Sequence, residues 1–496
     1  MKTTEMKDKT LDPQDWSAIR ALGHQMIDDM MDYLEGIKEE KIWRPTPDHV
    51  KDHFKSSLPK EGSNIEEIYQ EFRKYVLPYN KGNVHPRFWS WVQGTGTPMG
   101  MLADLLASGL NPNTAIGDHA AMYLEAQVIE WCKEMYDFPA GASGILLSGA
   151  TMANITAIMV ARNATFSATI RQEGLRDQEK QLTAYGSVET HSCVDKGIEA
   201  AGVGIEYFRK ISCNDDYTIN LEELESAIIR DIENGYHPFC IIATAGTVNT
   251  GAIDPISEMV AIARKYNIWL HVDGAFGALA RLVPAYRASL EAIKDANSLA
   301  FDFHKWMYVP YEAACLLVKD RDTHRSAFNL QPSYLLTHER GLAAGPDPVT
   351  NYGMELSRGF KALKIWMSLK EHGIDRYAEM IEHNIQQCRY LASKIVAHKE
   401  LELLAEVNLN IVCFRYIPEE GKTLEELNAL NKEILMRLHE EAVGAPSYTM
   451  LHGRYAIRVA HVNHRTRKID FDDLVEGVLR IGKKVSNEYE GAVNQG

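Results

Sequence analysis

The segment NIWLHVDGAFGAL, running from Asn267 to Leu279, decides how this chain is read. Its first half is apolar on both alternating faces and rich in β-formers, the pattern of a strand buried on both sides in a parallel sheet. The run ends on Asp273 and breaks at Gly274. An acid therefore stands at the carboxyl end of a strand. Further on, SLAFDFHKWMYVPYEAACLLVKD (Ser298 to Asp320) gives a second strand-like run, SLAF, that leads into Asp302, His304 and Lys305. A lysine is thus set at a similar sheet edge. Phe303, Trp306, Met307 and Tyr308 flank it, which predicts partial desolvation, a lowered pKa and a neutral amine able to form a Schiff base.

A third stretch supplies an anion site. In GILLSGATMANITAIMVARN (Gly144 to Asn163) the apolar run GILL enters a small-residue turn, Ser148, Gly149, Ala150 and Thr151, which opens a periodic helix. The free N–H groups of that first turn and the helix dipole would face an anion. A lysine, a buried acid and an anion cradle together are what pyridoxal phosphate requires. The lysine takes the aldehyde, and the carboxylate keeps the ring nitrogen protonated so that the ring can draw electrons from the substrate.

Five blocks stand in order: SGATMANITA, ETHSCVDKG, ATAGTVNTGAIDP, HVDGAFG and DFHKW. In this order and at these spacings the chain resembles the group II pyridoxal-phosphate amino-acid decarboxylases, the family of the aromatic-L-amino-acid decarboxylases. The resemblance runs from about His85 into the C-terminal region. One SGA turn or HK pair alone would carry little, whereas the ordered set is specific. It implies an α/β fold of the fold-type I PLP-dependent transferase kind, with a large domain built on a mainly parallel sheet flanked by helices. A catalytically silent binding protein of the same fold is the reading from another class, and intact Lys305, Asp273, His191 and Tyr334 argue against it.

Residue by residue, the resemblance makes Lys305 the lysine that carries the cofactor and Asp273 the partner of the ring nitrogen. Gly149, Ala150 and Thr151 match the phosphate turn, and Ala275 would lie flat under the ring. His304 would touch the phosphate, although a packed histidine is the other reading. His191 matches the histidine that stacks on the ring. Thr244 matches a threonine near cofactor and substrate, with a strand hydroxyl bonded to backbone as the equal alternative. Tyr334, in NLQPSYL, matches a loop tyrosine that helps protonate the α-carbon. Relatives that release an aldehyde instead tend to replace the tyrosine or the histidine, and both are present here. Arg358 matches an arginine that closes the site, and a solvated helix position is its alternative. Asp302 stands where animal members often carry asparagine. A carboxylate beside a phosphate must be rotated away or held by a donor. For the substrate pocket the alignment gives Trp91, Gln93 and Ala115. Two of these depart from the tyrosine, proline and phenylalanine of the animal enzymes. Ser357 lies where some plant relatives have serine for phenolic and glycine for indolic substrates. An aromatic L-amino acid is the implied substrate; a non-aromatic one, or conversion to an aldehyde, is the alternative.

The remainder of the 496 residues agrees with such an enzyme. A net charge of −15 argues against nucleic acid or an anionic membrane as partner. The start has no apolar leader and no run is long enough to span a bilayer, so a cytoplasmic location is expected. Seven scattered cysteines without a CxxC pair read as reduced core residues, and no spacing points to a metal. Asp12 and Pro13 read as cap and first residue of a long amphipathic helix. Residues 1–95 are expected to form an N-terminal helical segment, 96–375 the large cofactor domain, and 376–496 a small α+β domain. By the resemblance, the N-terminal helices lie across the partner subunit of a homodimer. Asp254 and Pro255 read as another helix cap, and Asn329 to Tyr352, rich in Gly and Pro, as a mobile active-site loop.

Overall fold

A computed structural model describes residues 9–166, 170–175, 180–330, 338–419 and 421–493, with side chains to 488. Two compact units divide at His85 and Pro86. The first is helical, with its longest helix at Trp16–Glu35. That helix is capped by Asp15, whose carboxylate accepts from the Ser17 and Ala18 N–H groups, three residues beyond the cap expected at Asp12. Tyr69, on the Ile65–Glu71 helix, donates its hydroxyl to Asp29 at 2.6 Å and holds the two helices together.

Among the described residues the second unit carries twelve strands. They are β1 Phe88–Trp89, β2 Ser143–Leu147, β3 Leu182–Ser187, β4 Phe208–Ile211, β5 His237–Thr244 and β6 Trp269–Asp273, then β7 Ser298–Asp302, β8 Ala314–Val318, β9 Leu401–Leu403, β10 Ile411–Tyr416, β11 Ala445–Leu451 and β12 Arg454–Ala460. Seven of them form one sheet in the order β2-β8-β7-β6-β5-β3-β4. Strands β7, β6, β5, β3 and β4 are parallel, and only β8 runs against its neighbours β7 and β2. This is the mainly parallel α/β sheet expected from LTAYGS, HPFCIIAT, IWLHVD and SLAF. Every residue of β3, β7 and β8 is buried, because helices cover both faces.

The Ala150–Thr165 helix follows β2 and lies against β5 to β8. Small residues on its inner side, Ala153 and Ala157, allow the close approach. The other five strands form a second sheet in the order β1-β11-β12-β10-β9. Sequence patterning anticipated β10 and β12 but not β11, which alternates buried and exposed residues over its second half, nor the three-residue β9. The Lys361–Val396 helix breaks at Gly373, where φ is 72°, so the two helices expected there are joined end to end.

Candidate active site

Ligands in open parallel sheets collect at the carboxyl ends of the strands. Here β5, β6 and β7 end side by side on Thr244, Asp273 and Asp302. Thr244 stands opposite Asp273 in the register of β5 and β6, and Asp273 stands opposite Ala300 in β6 and β7. A cavity of about 330 Å³ opens over these ends. The predicted cofactor residues all line it: Gly149, Ala150, Thr151, His191, Thr244, Asp273, Ala275, His304 and Lys305. So do Trp91 and Gln93 of the predicted substrate wall. Ala115 and Ser357 do not. Ala115 is buried and accepts from the Val349 N–H, while Ser357 is exposed on a segment tied to Asn113. Tyr334 lies outside the described residues. Of the loop expected over Asn329 to Tyr352, residues 329–330 and 338–352 are described, with a short helix at Val349–Tyr352.

Gly94 brings the wall against the lysine. A Cβ there would stand 2.3 Å from the His304 carbonyl oxygen and 2.5 Å from that of Lys305, so only glycine lets the two segments meet.

The charges form a compact set. Asp302 is buried, with one carboxylate oxygen accepting the Ala150 N–H at 2.7 Å and the other 2.8 Å from Lys305 Nζ. It is thus held by donors, the second of the two arrangements expected for a carboxylate beside the cradle. Burial works against the ammonium of Lys305, but Asp302 and then Asp273 outweigh it, and the pKa lies above the ordinary lysine value. The expected lowering is overturned. The flanking Phe303, Trp306, Met307 and Tyr308 belong to the hydrophobic core and leave the lysine to two carboxylates. Burial raises Asp273, against the pull of Lys305 and His191. It lowers His191 and His304. His191 Nδ1 accepts the Cys193 N–H at 3.1 Å, so in the neutral ring the proton sits on Nε2.

Several residues at the site were not legible in the sequence. Tyr311 lines the cavity and packs on His304, with ring centroids 4.3 Å apart. Asp254 caps no helix. Its buried carboxylate accepts the Thr244 N–H at 2.7 Å and the Ile219 N–H at 2.9 Å, fixing the end of β5. Asn154 donates to Asp273 Oδ2 at 2.9 Å and is itself bonded to His271. Arg358, expected to close the site, is buried in a two-pronged pair with Glu125 and donates to the Leu146 carbonyl at 2.7 Å. It supports β2 from behind and does not line the cavity.

The residues present fit pyridoxal phosphate. The Thr244 hydroxyl is buried at the cavity wall without a partner, and Asp273 is a buried acid with its Oδ2 and Oδ1 oriented by Asn154 and the Ala275 N–H. Lys305 Nζ reaches the same space from one side, and the start of the Ala150–Thr165 helix faces it from another.

A sequence model described as the pyridoxal-dependent decarboxylase conserved domain matches residues 47–417. The chain is 31% identical over 474 residues to an aromatic-L-amino-acid decarboxylase of Bacillus atrophaeus, covering 95% of this chain and 97% of that one. It is 29% identical to tyrosine decarboxylase 4 of Petroselinum crispum, covering 92% and 91%. The crystal structure of Catharanthus roseus tryptophan decarboxylase in complex with L-tryptophan superposes with a TM-score of 0.86 at 23% identity, covering 96% of this chain and 100% of that one. Its likeness establishes the fold. The buried acid, the paired lysine and the helix-start cradle thus stand in a chain that belongs to the pyridoxal-dependent decarboxylase family.

Proposed function

We propose that this chain removes carbon dioxide from an aromatic L-amino acid, such as tyrosine, phenylalanine, tryptophan or a dopa-like compound, and releases the amine. The convergence of Lys305, Asp273, His191 and the Gly149–Thr151 turn on one cavity carries the reading. When bound, pyridoxal phosphate supplies the electron sink for the bond that breaks. Lys305 would hold it covalently, Asp273 would keep its ring nitrogen protonated, and Gly149, Ala150, Thr151 and His304 would hold the phosphate. His191, Ala275 and Thr244 would bound the ring. Tyr334 and His191 would return a proton to the α-carbon, which is why amine rather than aldehyde is the expected product.

The aromatic substrate class rests on the wall. Trp91, Phe276 and Tyr311 line the cavity, and Lys305 is its only lysine or arginine among the described residues. A second carboxylate on the substrate would find no arginine there, since Arg87 is paired with Asp470 and Asp473. Gln93 would add an amide to the pocket. Ala115 and Ser357 would act on the substrate only if that surface meets the cavity of a second copy.

A cytoplasmic homodimer is part of the same proposal. Leu105, Leu106, Leu110, Met354 and Leu356 are large apolar side chains left exposed on the segments that precede Ala115 and Ser357 in the chain, and among the described residues no helix is long and apolar enough to cross a membrane. The division into 1–95, 96–375 and 376–496 is supported by the placing of the seven-stranded sheet between residues 143 and 318 and of most of the second sheet beyond 401.

The test is an absorbance spectrum of the purified protein with pyridoxal phosphate, followed by assays of carbon dioxide and amine with single amino acids. A visible band and amine from tyrosine, phenylalanine or tryptophan support the proposal. Turnover of non-aromatic amino acids alone would refute the substrate class, peroxide and ammonia would indicate aldehyde formation, and no uptake of the cofactor would overturn the whole reading.

A further inference from the structure

Trp269, His271 and Asp273 alternate along β6 and therefore share one face of the sheet. Ser298 stands directly across from His271 in the register of β6 and β7. Asn154, on the helix that covers this face, reaches both His271 and Asp273 with the two ends of one amide. All except the indole are almost fully buried.

The chemistry of the groups gives the contacts a direction. The Trp269 indole can only donate, and it does so to Ser298 Oγ at 2.9 Å. Ser298 Oγ lies 2.8 Å from His271 Nδ1, and His271 Nε2 lies 2.8 Å from Asn154 Oδ1. The Asn154 amide nitrogen is then 2.9 Å from Asp273 Oδ2, with Cys193 Sγ at 3.1 Å as its second acceptor. Burial drives the His271 pKa down to about 3, so the ring is neutral and has one donor and one acceptor. If the amide were turned over, its oxygen would face an ionised carboxylate, acceptor against acceptor. With the Asp273 carboxylate as the acceptor that the Asn154 amide and the Ala275 N–H both address, the amide is fixed, the amide requires the proton on His271 Nε2, and the serine hydroxyl must point at Nδ1.

We infer that Trp269, Ser298, His271 and Asn154 form a one-way hydrogen-bond chain that aims Asp273 into the cavity and keeps it ionised, which makes these four residues positioning residues for the cofactor ring. The inference rests on reading the cavity as the pyridoxal phosphate site. A buried carboxylate is costly to ionise unless donors are aimed at it, and donors in series polarise one another. The chain supplies such a donor through the core, on the side of Asp273 away from solvent.

The test uses the full-length protein stripped of cofactor and titrated with pyridoxal phosphate, read by absorbance and by thermal melting of the cofactor-free form. His271→Leu is expected to weaken cofactor binding about tenfold, the scale of one lost buried hydrogen bond to a charged group. It should also shift the visible band and lower kcat more than it raises KM. His271→Gln, which can accept at one end and donate at the other, should restore most of the affinity. Ser298→Ala interrupts the chain with the loss of one hydroxyl, so it keeps the question answerable if His271→Leu does not fold. It should weaken binding at least about threefold with the melting temperature little changed. Wild-type affinity and spectrum in His271→Leu or in a folded Ser298→Ala would overturn the inference. Failure of the unaltered chain to take up cofactor would instead overturn the reading of the cavity.

Discussion

Asp302 and Lys305 form an ion pair at 2.8 Å inside the cavity, and the same carboxylate holds the first N–H of the Ala150–Thr165 helix. The pair stabilises the ammonium form of the residue whose neutral amine would take up the cofactor under the proposed function. Asp302→Asn keeps an oxygen for the Ala150 N–H but removes the charge. The Lys305 pKa is then expected to fall, so that more neutral amine is present at neutral pH. The rate of pyridoxal phosphate uptake by the cofactor-free protein should rise several-fold, with its pH dependence moved to lower pH. Stopped-flow absorbance checks this, and an unchanged rate and profile would remove the ion pair as a control on uptake.

Lys305→Ala deletes the one lysine that lines the cavity among the described residues. The visible band should vanish, and decarboxylation should drop by at least about a thousandfold, the scale on which removing a covalent catalytic group acts. The variant should still bind the cofactor non-covalently through the helix-start cradle. Equilibrium dialysis separates loss of the covalent link from loss of the site.

Arg358→Ala probes a support rather than a catalytic contact. The guanidinium and Glu125 are both nearly inaccessible, and removal of one leaves a buried charge alone. Such a break costs about 3–5 kcal/mol. The melting temperature should fall in proportion, even for cofactor-free protein. A variant that melts normally but has lost activity would return Arg358 to the active site.

Acidification should destabilise the fold. His271, His324 and His461 are fully buried, and burial lowers the pKa of each from 6.5 to about 3. Between these values the unfolded chain binds protons that the folded chain does not, so their contribution is complete above pH 6.5 and is lost as pH falls towards 3. Each one costs about 1.4 kcal/mol per pH unit in that window. Asp254 works the other way. Burial raises it from 3.8 to about 6, so its contribution grows as pH falls through that range. Three groups outweigh one, and the melting temperature should decline between about pH 6.5 and pH 4.5. A flat or rising curve would contradict the sign.

The sheet and the ends of its strands were readable because a buried parallel strand is a plain apolar run, and a charged residue at its end has few structural reasons to be there. Asp273, Lys305 and the Gly149–Thr151 turn fall in that class. Asn154, His271 and Ser298 do not. Each is one polar residue inside an apolar segment, and only the register of β6 with β7 and the packing of a helix show that they face one another. Lys305 lines the cavity, but its charge state is not legible in the sequence, since its sequence neighbours point into the core while its partners come from Asp302 and Asp273. Asp254 next to Pro255 copies a helix cap, yet its carboxylate is drawn to the end of β5. Ala115 and Ser357 rest on alignment alone, and no local pattern says which cavity they serve.

In the large sheet β8 alone runs antiparallel, and this bears on synthesis. β8 pairs on one side with β7, which leads to Lys305, and on the other with β2, which leads to the phosphate turn. The chain emerges from its N-terminus, so β2 is made long before its one partner, β8, and must wait unpaired, with open edges, until Val318 has been added. Such edges recruit other chains. Residues on both sides of the cavity are therefore joined only when β8 is in place. The Gly149–Thr151 turn and Lys305 are brought together across the last strand of the large sheet to be translated, and a ribosome halted before that strand holds β2 unpaired.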